Sequence, residues 1–206
     1  MSPRLLILGY GRLGQAFYRK YHDRYEIQGV RRTPLPDDPC PLIMEPIQSD
    51  AILPLLHWAD RVLFCPAPGK SEEKNLDKET EFYVYQDTYV ANMVSLVDRV
   101  RSEKIELQQV ILISSTGVYP KSSDGLWTED CSIPLENQRQ WTLLDTEYVL
   151  MHSHIPYVIL RCGGLYGEGR ENFSRLAGRE QILTSEMSDE RISLLHQEDV
   201  CAVADL

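Results

Sequence analysis

Residues 4–14 read RLLILGYGRLG, an apolar run followed at once by three glycines spaced G-x-G-x-x-G. Arg4–Gly9 is too short and too uniformly apolar for a surface helix, and its composition predicts a buried strand. From Leu13 the spacing changes: Leu13, Ala16, Phe17, Lys20 and Tyr21 recur at helical intervals, Lys20 reaching out to water at the edge of the stripe. A strand that runs through Gly9, Gly11 and Gly14 into a helix is the context that gives this motif meaning. Gly9 permits the tight turn, Gly11 lets the backbone approach a pyrophosphate, and Gly14 lets helix and strand pack closely. The amides of Tyr10, Gly11, Arg12 and Leu13 stand at the helix N-terminus, where donors and partial positive charge suit phosphates. A plain glycine-rich turn is the alternative.

Working outward, the same alternation repeats. YEIQGVRR (25–32), PLIMEPI (41–47), RVLFCPAPG (61–69), QQVILISS (108–115) and PYVILRC (156–162) read as strands. DAILPLLHWA (50–59) reads as a helix, and Tyr89, Met93, Leu96, Val97 and Val100 mark a long one. Trp141, Leu144, Tyr148 and Met151 stripe another, and a last amphipathic helix starts in VCAVADL (200–206). Lys70–Thr80 reads as a charged loop. Strands separated by helices predict βαβ units, and near-continuous apolar strands predict a parallel sheet covered on both faces. The expected fold is a doubly wound parallel sheet, a Rossmann-like three-layer α/β/α arrangement. One NAD(P)-binding domain over 1–206 is expected, with 163–206 leading into an incomplete substrate lobe.

Bulk properties narrow the function. The 206 residues carry a formal charge of −10, the opposite of the basic stripe a nucleic-acid partner needs. No apolar run approaches a membrane-helix length of about 20 residues. Five cysteines without C-x-x-C pairing favour reduced thiols in a cytoplasmic protein, and neither they nor the histidines have a metal-ligand spacing.

The end of the second strand bears on the coenzyme. An NAD site usually places an acid there against the ribose hydroxyls, whereas this chain has Arg31-Arg32-Thr33. Two guanidiniums and a hydroxyl suit a 2′-phosphate, so NADP is expected over NAD; a solvated basic turn is the alternative. Cys65, Pro66 and Ala67, ending the fourth strand, would run along the coenzyme through backbone and packing.

Four segments in order, LGYGRLG (8–14), ISSTGVYP (113–120), ILRCGGLYGEGR (159–170) and ISLLHQEDVCAV (192–203), resemble the extended short-chain dehydrogenase/reductases, the NAD(P)-dependent epimerase/dehydratase group. The resemblance implies that Ser115, four residues before Tyr119, hydrogen-bonds a substrate oxygen, with Ser114 and Thr116 beside the nicotinamide. A hydroxyl there is chemically apt, since it donates to an alkoxide or accepts from an alcohol; a Ser/Thr turn capping the strand is the bland reading. The resemblance also implies a Tyr-x-x-x-Lys pair. If Glu147 is the acid four residues past the lysine, the pair falls on Arg139 and Leu143, and neither residue type is present. This departure resembles the atypical branch of the family. Tyr119, Tyr166 and Arg139 are the substitutes within reach. Gly164 would bring backbone to the nicotinamide, Arg170 would meet an anionic substrate or stay solvated, and His196 and Asp199 form a structural H-x-x-D. Two functions follow: an NADP(H)-dependent oxidoreductase or epimerase-like enzyme acting on a carbonyl or alcohol substrate, a sugar-nucleotide-like one among the candidates, or a non-catalytic NADP(H)-binding redox sensor or regulator. Family members are often homodimers through two long helices, here 85–101 and 139–152.

Overall fold

The computed structural model describes residues 2–68, 77–120, 127–168 and 193–205. Six strands, β1 (Arg4–Leu8), β2 (Glu26–Arg31), β3 (Leu42–Met44), β4 (Arg61–Phe64), β5 (Gln109–Ser115) and β6 (Tyr157–Cys162), form one sheet in the order β3-β2-β1-β4-β5-β6. Every pairing is parallel. The order runs outward in both directions from β1 and β4, so their carboxyl ends flank the crevice where such sheets take ligands.

Why the strands are apolar throughout is visible in β1. Leu6 and Leu8 point into a core with Ile52, Leu56, Met93 and Leu96, while Leu5 and Ile7 point into a second core with Phe17, Tyr25, Val200 and Cys201. Alternation sends successive residues to opposite faces, and here both faces are covered. Helices α1 (Arg12–Tyr21), α2 (Leu53–Trp58), α4 (Asn92–Ser102), α5 (Gln138–Met151) and α6 (Gln197–Ala204) supply that cover, while α3 (Lys78–Gln86), which buries none of its residues, packs on α5. Short parallel strands β7 (Gly164–Tyr166) and β8 (Leu194–His196) pair apart from the main sheet. No helix of the described residues is long and apolar enough to cross a membrane.

Three local expectations change. Of the charged stretch 70–80, residues 70–76 lie outside the described residues, but Asp77 already caps a helix: its Oδ1 accepts from the Thr80 amide at 2.8 Å. The long helix therefore starts at Lys78 and passes through a π turn, Asp87–Ala91, into α4. The stripe Trp141–Tyr148–Met151 does not face the core. Trp141 is 48% and Tyr148 58% exposed, whereas α5 buries Gln140, Thr142, Leu143, Thr146, Glu147 and Leu150. The buried face is polar because its groups are satisfied: Thr146 donates to the Thr142 carbonyl at 2.7 Å and Thr142 to that of Gln138 at 3.0 Å. Finally, α6 begins at Gln197, three residues before Val200, with His196 Nδ1 accepting from the Glu198 amide.

Candidate functional site

The crevice at the carboxyl ends of β1, β2, β3 and β4 is a cleft of about 480 Å³. Gly9 through Leu13, Arg31, Arg32, Thr33 and Cys65 through Ala67 all line it. Three stretches far apart in the sequence thus meet on one surface. Gly9 sits at φ +87° and a Cβ there would lie 2.3 Å from Pro66 Cα, so the β1 and β4 ends can close together only around glycine. Gly14 packs under the Tyr10 ring and away from the cleft.

The amides divide. Gly9 and Tyr10 donate to the Val30 carbonyl at 3.1 and 2.8 Å, fixing the turn to β2. The Tyr10 phenol is buried and donates to Asp38 at 2.9 Å; burial and that contact push its pKa far up. Tyr10 therefore shapes the turn, and the donors left for a phosphate are the first amides of α1, which no helical carbonyl reaches. Gly11 is extended (φ −112°), and the nearest atom to a Cβ built on it is 3.8 Å away. Space is open where a ligand would approach.

Arg31 and Arg32 stand where β2 ends. Arg31 Nη2 donates to Thr33 Oγ1 at 3.2 Å, while its buried Nε has no acceptor among the described residues. Two acids also line the cleft: Glu45 follows Met44, the register partner of Arg31 on β3, and Asp87 opens the π turn. The orphaned Arg31 nitrogen, beside an Arg32 that forms no ion pair among the described residues, fits an incoming phosphate. The residues present thus offer amide and guanidinium donors that fit the phosphates of a dinucleotide.

The hydroxyls of β5 separate by strand alternation. Ser114 points under the sheet and donates to Glu147 Oε1 at 2.5 Å, so its side chain faces α5 and not the cleft. Ser115 accepts from the Gly117 amide at 3.0 Å, capping the short 3-10 turn Thr116–Val118. That hydroxyl does turn work, yet because its oxygen accepts from Gly117, its own proton stays available to a second oxygen. Thr116 begins the turn and its carbonyl accepts from Tyr119. Gly164 lies in β7 with its amide on the Ser193 carbonyl at 2.8 Å, outside the cleft lining. Arg170 lies outside the described residues.

A buried network went unread in the sequence. Glu147, 1% exposed, receives Arg161 Nη2 at 2.7 Å and Nε at 3.1 Å along with the Ser114 hydroxyl. Arg161 Nη1 donates to the Tyr119 hydroxyl at 2.9 Å, and the Tyr119 ring stacks on Trp127. The bond to Glu147 drives the Arg161 pKa up, so the guanidinium stays charged. Tyr119 is thereby held in a clasp between β5, β6 and α5. The signal was present: a lone arginine inside the apolar strand YVILRC requires a buried acid.

Arg139 stands at the first turn of α5. Its guanidinium lies 4.8 Å over the Tyr85 ring and donates to the Tyr85 hydroxyl. Leu143, one turn further, is buried, with Cδ1 3.7 Å from where a Gly117 Cβ would sit. Tyr166 packs edge-on against His196.

No model of a known protein family matches this sequence, and no curated protein does either. Solved structures do. MoeE5 in complex with UDP-glucuronic acid and NAD aligns with a TM-score of 0.80 at 20% identity, over 98% of this chain and 71% of its own. A protein from Methylobacillus flagellatus described as an NAD-dependent epimerase/dehydratase aligns over 100% of this chain and 70% of its own, at TM-score 0.75 and 24% identity. UDP-glucuronic acid 4-epimerase from Bacillus cereus in complex with NAD aligns at TM-score 0.73 and 21% identity, over 98% and 73%. The chain has the fold of these proteins.

Proposed function

We propose that the protein is an atypical extended short-chain dehydrogenase/reductase that binds NADP(H) and acts on a carbonyl or alcohol. One observation carries the coenzyme reading. The cleft gathers the free amides of α1, Arg12, Arg31, Arg32 and Thr33, with no acid at the end of β2. The pyrophosphate would rest on the amides of Gly11 to Leu13 and a 2′-phosphate on Arg31 and Arg32. Bound so, the nicotinamide supplies a hydride acceptor or donor. Ser115, its oxygen already accepting from Gly117, offers its proton to the substrate oxygen. The solved structures with NAD support a nicotinamide coenzyme of some kind; the preference for NADP rests on the arginines. A cytoplasmic location is proposed from the sequence, whose five cysteines are odd in number and lack C-x-x-C pairing.

Calorimetry with NADP+ and NAD+ tests the reading. NADP+ should bind at least tenfold tighter, and Arg31→Ala with Arg32→Ala should abolish the difference while leaving NAD+ affinity in place. Equal affinities in the parent protein refute it.

A second reading has its own observation. Arg139 and buried Leu143 hold the positions that the resemblance assigns to the proton-exchanging pair. The protein would then bind NADP(H) without turning it over and act as a redox sensor. NADPH consumption with a panel of aldehydes, ketones and sugar nucleotides separates the two, and Ser115→Ala should remove turnover with coenzyme affinity intact. A homodimer is proposed through the exposed stripe Trp141, Tyr148 and Met151 of α5 together with Tyr83 and Val94.

A further inference from the structure

Helix α3 buries none of its residues, so its aromatic side chains are not explained by the core. Phe82 and Tyr85 face the start of α5 instead. Between α3 and the first turn of α5 lies a cavity of about 280 Å³, with Lys78, Glu81, Phe82, Tyr85 and Arg139 on its walls. Arg139 stacks 4.8 Å over the Tyr85 ring and bonds its hydroxyl, which fixes an otherwise mobile side chain. A guanidinium carries five N–H donors, and Tyr85 takes one. The other donors meet no acceptor among the described residues. The Tyr85 oxygen accepts from Arg139, which leaves the phenolic proton free for another acceptor. Lys78 adds a third donor, and its charge with that of Arg139 exceeds the single opposing charge of Glu81. Three donors and a cationic surplus over an aromatic wall are the chemistry of an oxyanion attached to an apolar body.

The cavity is tied to the hydroxyl site. Arg139 is one helical turn, ~6 Å along the axis, from Leu143, which touches the Ser115–Gly117 turn. Gln140, next to Arg139, donates to the Val118 carbonyl at 3.0 Å and holds the two pieces in register.

We propose that Arg139, Tyr85 and Lys78 form a subsite for a carboxylate or phosphate carried by the substrate, whose carbonyl or alcohol reaches Ser115. This deepens the oxidoreductase reading and rests on it for the role of Ser115. The oxyanion end alone does not.

The test uses benzoylformate, its methyl ester and phenyl phosphate, titrated calorimetrically into the full chain with and without saturating NADP+. The expected result is saturable binding of benzoylformate or phenyl phosphate, with the ester at least tenfold weaker. Which of the two anions binds tighter distinguishes a carboxylate from a phosphate source. Arg139→Ala should weaken the anion tenfold and leave the ester and NADP+ unchanged; Arg139→Lys should restore part, and Tyr85→Phe should lose several-fold. Equal binding of acid and ester, no binding of either anion, or an Arg139→Ala protein that binds as the parent overturns the proposal. Failure of NADP+ to bind refutes the oxidoreductase reading instead, because the acid–ester comparison is made without coenzyme as well.

Discussion

Gly9 and Gly11 sit two residues apart in one motif, yet alanine at each should do opposite things. At Gly9 the backbone is left-handed, and a Cβ would lie 2.3 Å from Pro66 Cα and 2.8 Å from the Cys65 carbonyl carbon. Holding a non-glycine residue in a sparsely populated conformation costs about 1–3 kcal/mol. Forcing β1 and β4 apart at their ends adds a further ~1–3 kcal/mol of overpacking. A loss of roughly 2–6 kcal/mol is a large part of the ~5–15 kcal/mol that holds a typical domain together. At Gly11 the backbone is extended and the nearest atom to the new Cβ is 3.8 Å away. Stability should hold or rise by about 0.4–1 kcal/mol through the unfolded chain. The methyl group would instead stand where the pyrophosphate approaches, and NADP+ affinity should fall tenfold or more, about 1.4 kcal/mol. Urea unfolding followed by circular dichroism, paired with calorimetric titration of NADP+, reads both quantities. A Gly11→Ala protein that binds NADP+ as tightly as the parent refutes the placement of the phosphates. A Gly9→Ala protein with an unchanged urea midpoint refutes the account of the turn.

Glu147→Ala strands the Arg161 guanidinium inside the protein and should cost about 3–5 kcal/mol in urea unfolding. A loss under 1 kcal/mol would show that the clasp does not hold α5 to the sheet. Arg4 donates to Asp60 through its guanidinium and its amide and holds the Asp60 pKa below the usual carboxylate value. The folded value being depressed, the stabilisation is present above the unfolded pKa of about 4 and is lost as pH falls through the folded one. Asp60→Asn should therefore lower the urea midpoint at pH 7 and flatten its fall between pH 5 and about 3; parallel curves would contradict this. Burial pushes the thiols of Cys40, Cys162 and Cys201 up, to about 12, 11 and 12, whereas the hydrogen bond from Thr128 lowers that of Cys131. Iodoacetamide at pH 8 should alkylate Cys131 ahead of those three, as peptide mass mapping would show.

Much of the sheet was legible because its residues report their environment one by one. Leu5 to Leu8 are apolar without a break since alternate side chains enter two separate cores, and no half-exposed strand needs that. Gly9 and Gly14 carried the turn for the same reason, each being required by a local backbone or packing constraint, whereas Gly11 stands in open space. The α5 face was not legible. Its apolar stripe, Trp141 to Met151, points to water, while Thr142, Thr146 and Glu147 go inside. Periodicity registers apolar residues, and a polar residue can be buried only where distant partners satisfy it. Glu147 finds Arg161, Ser114 and, through the arginine, Tyr119 across three elements, and no spacing along the chain announces that meeting. The same holds for Tyr85 and Arg139, separated by 54 positions and joined only when α3 packs on α5. Local constraint is written in neighbouring residues; which charges and hydroxyls meet is decided by the packing of helices against the sheet.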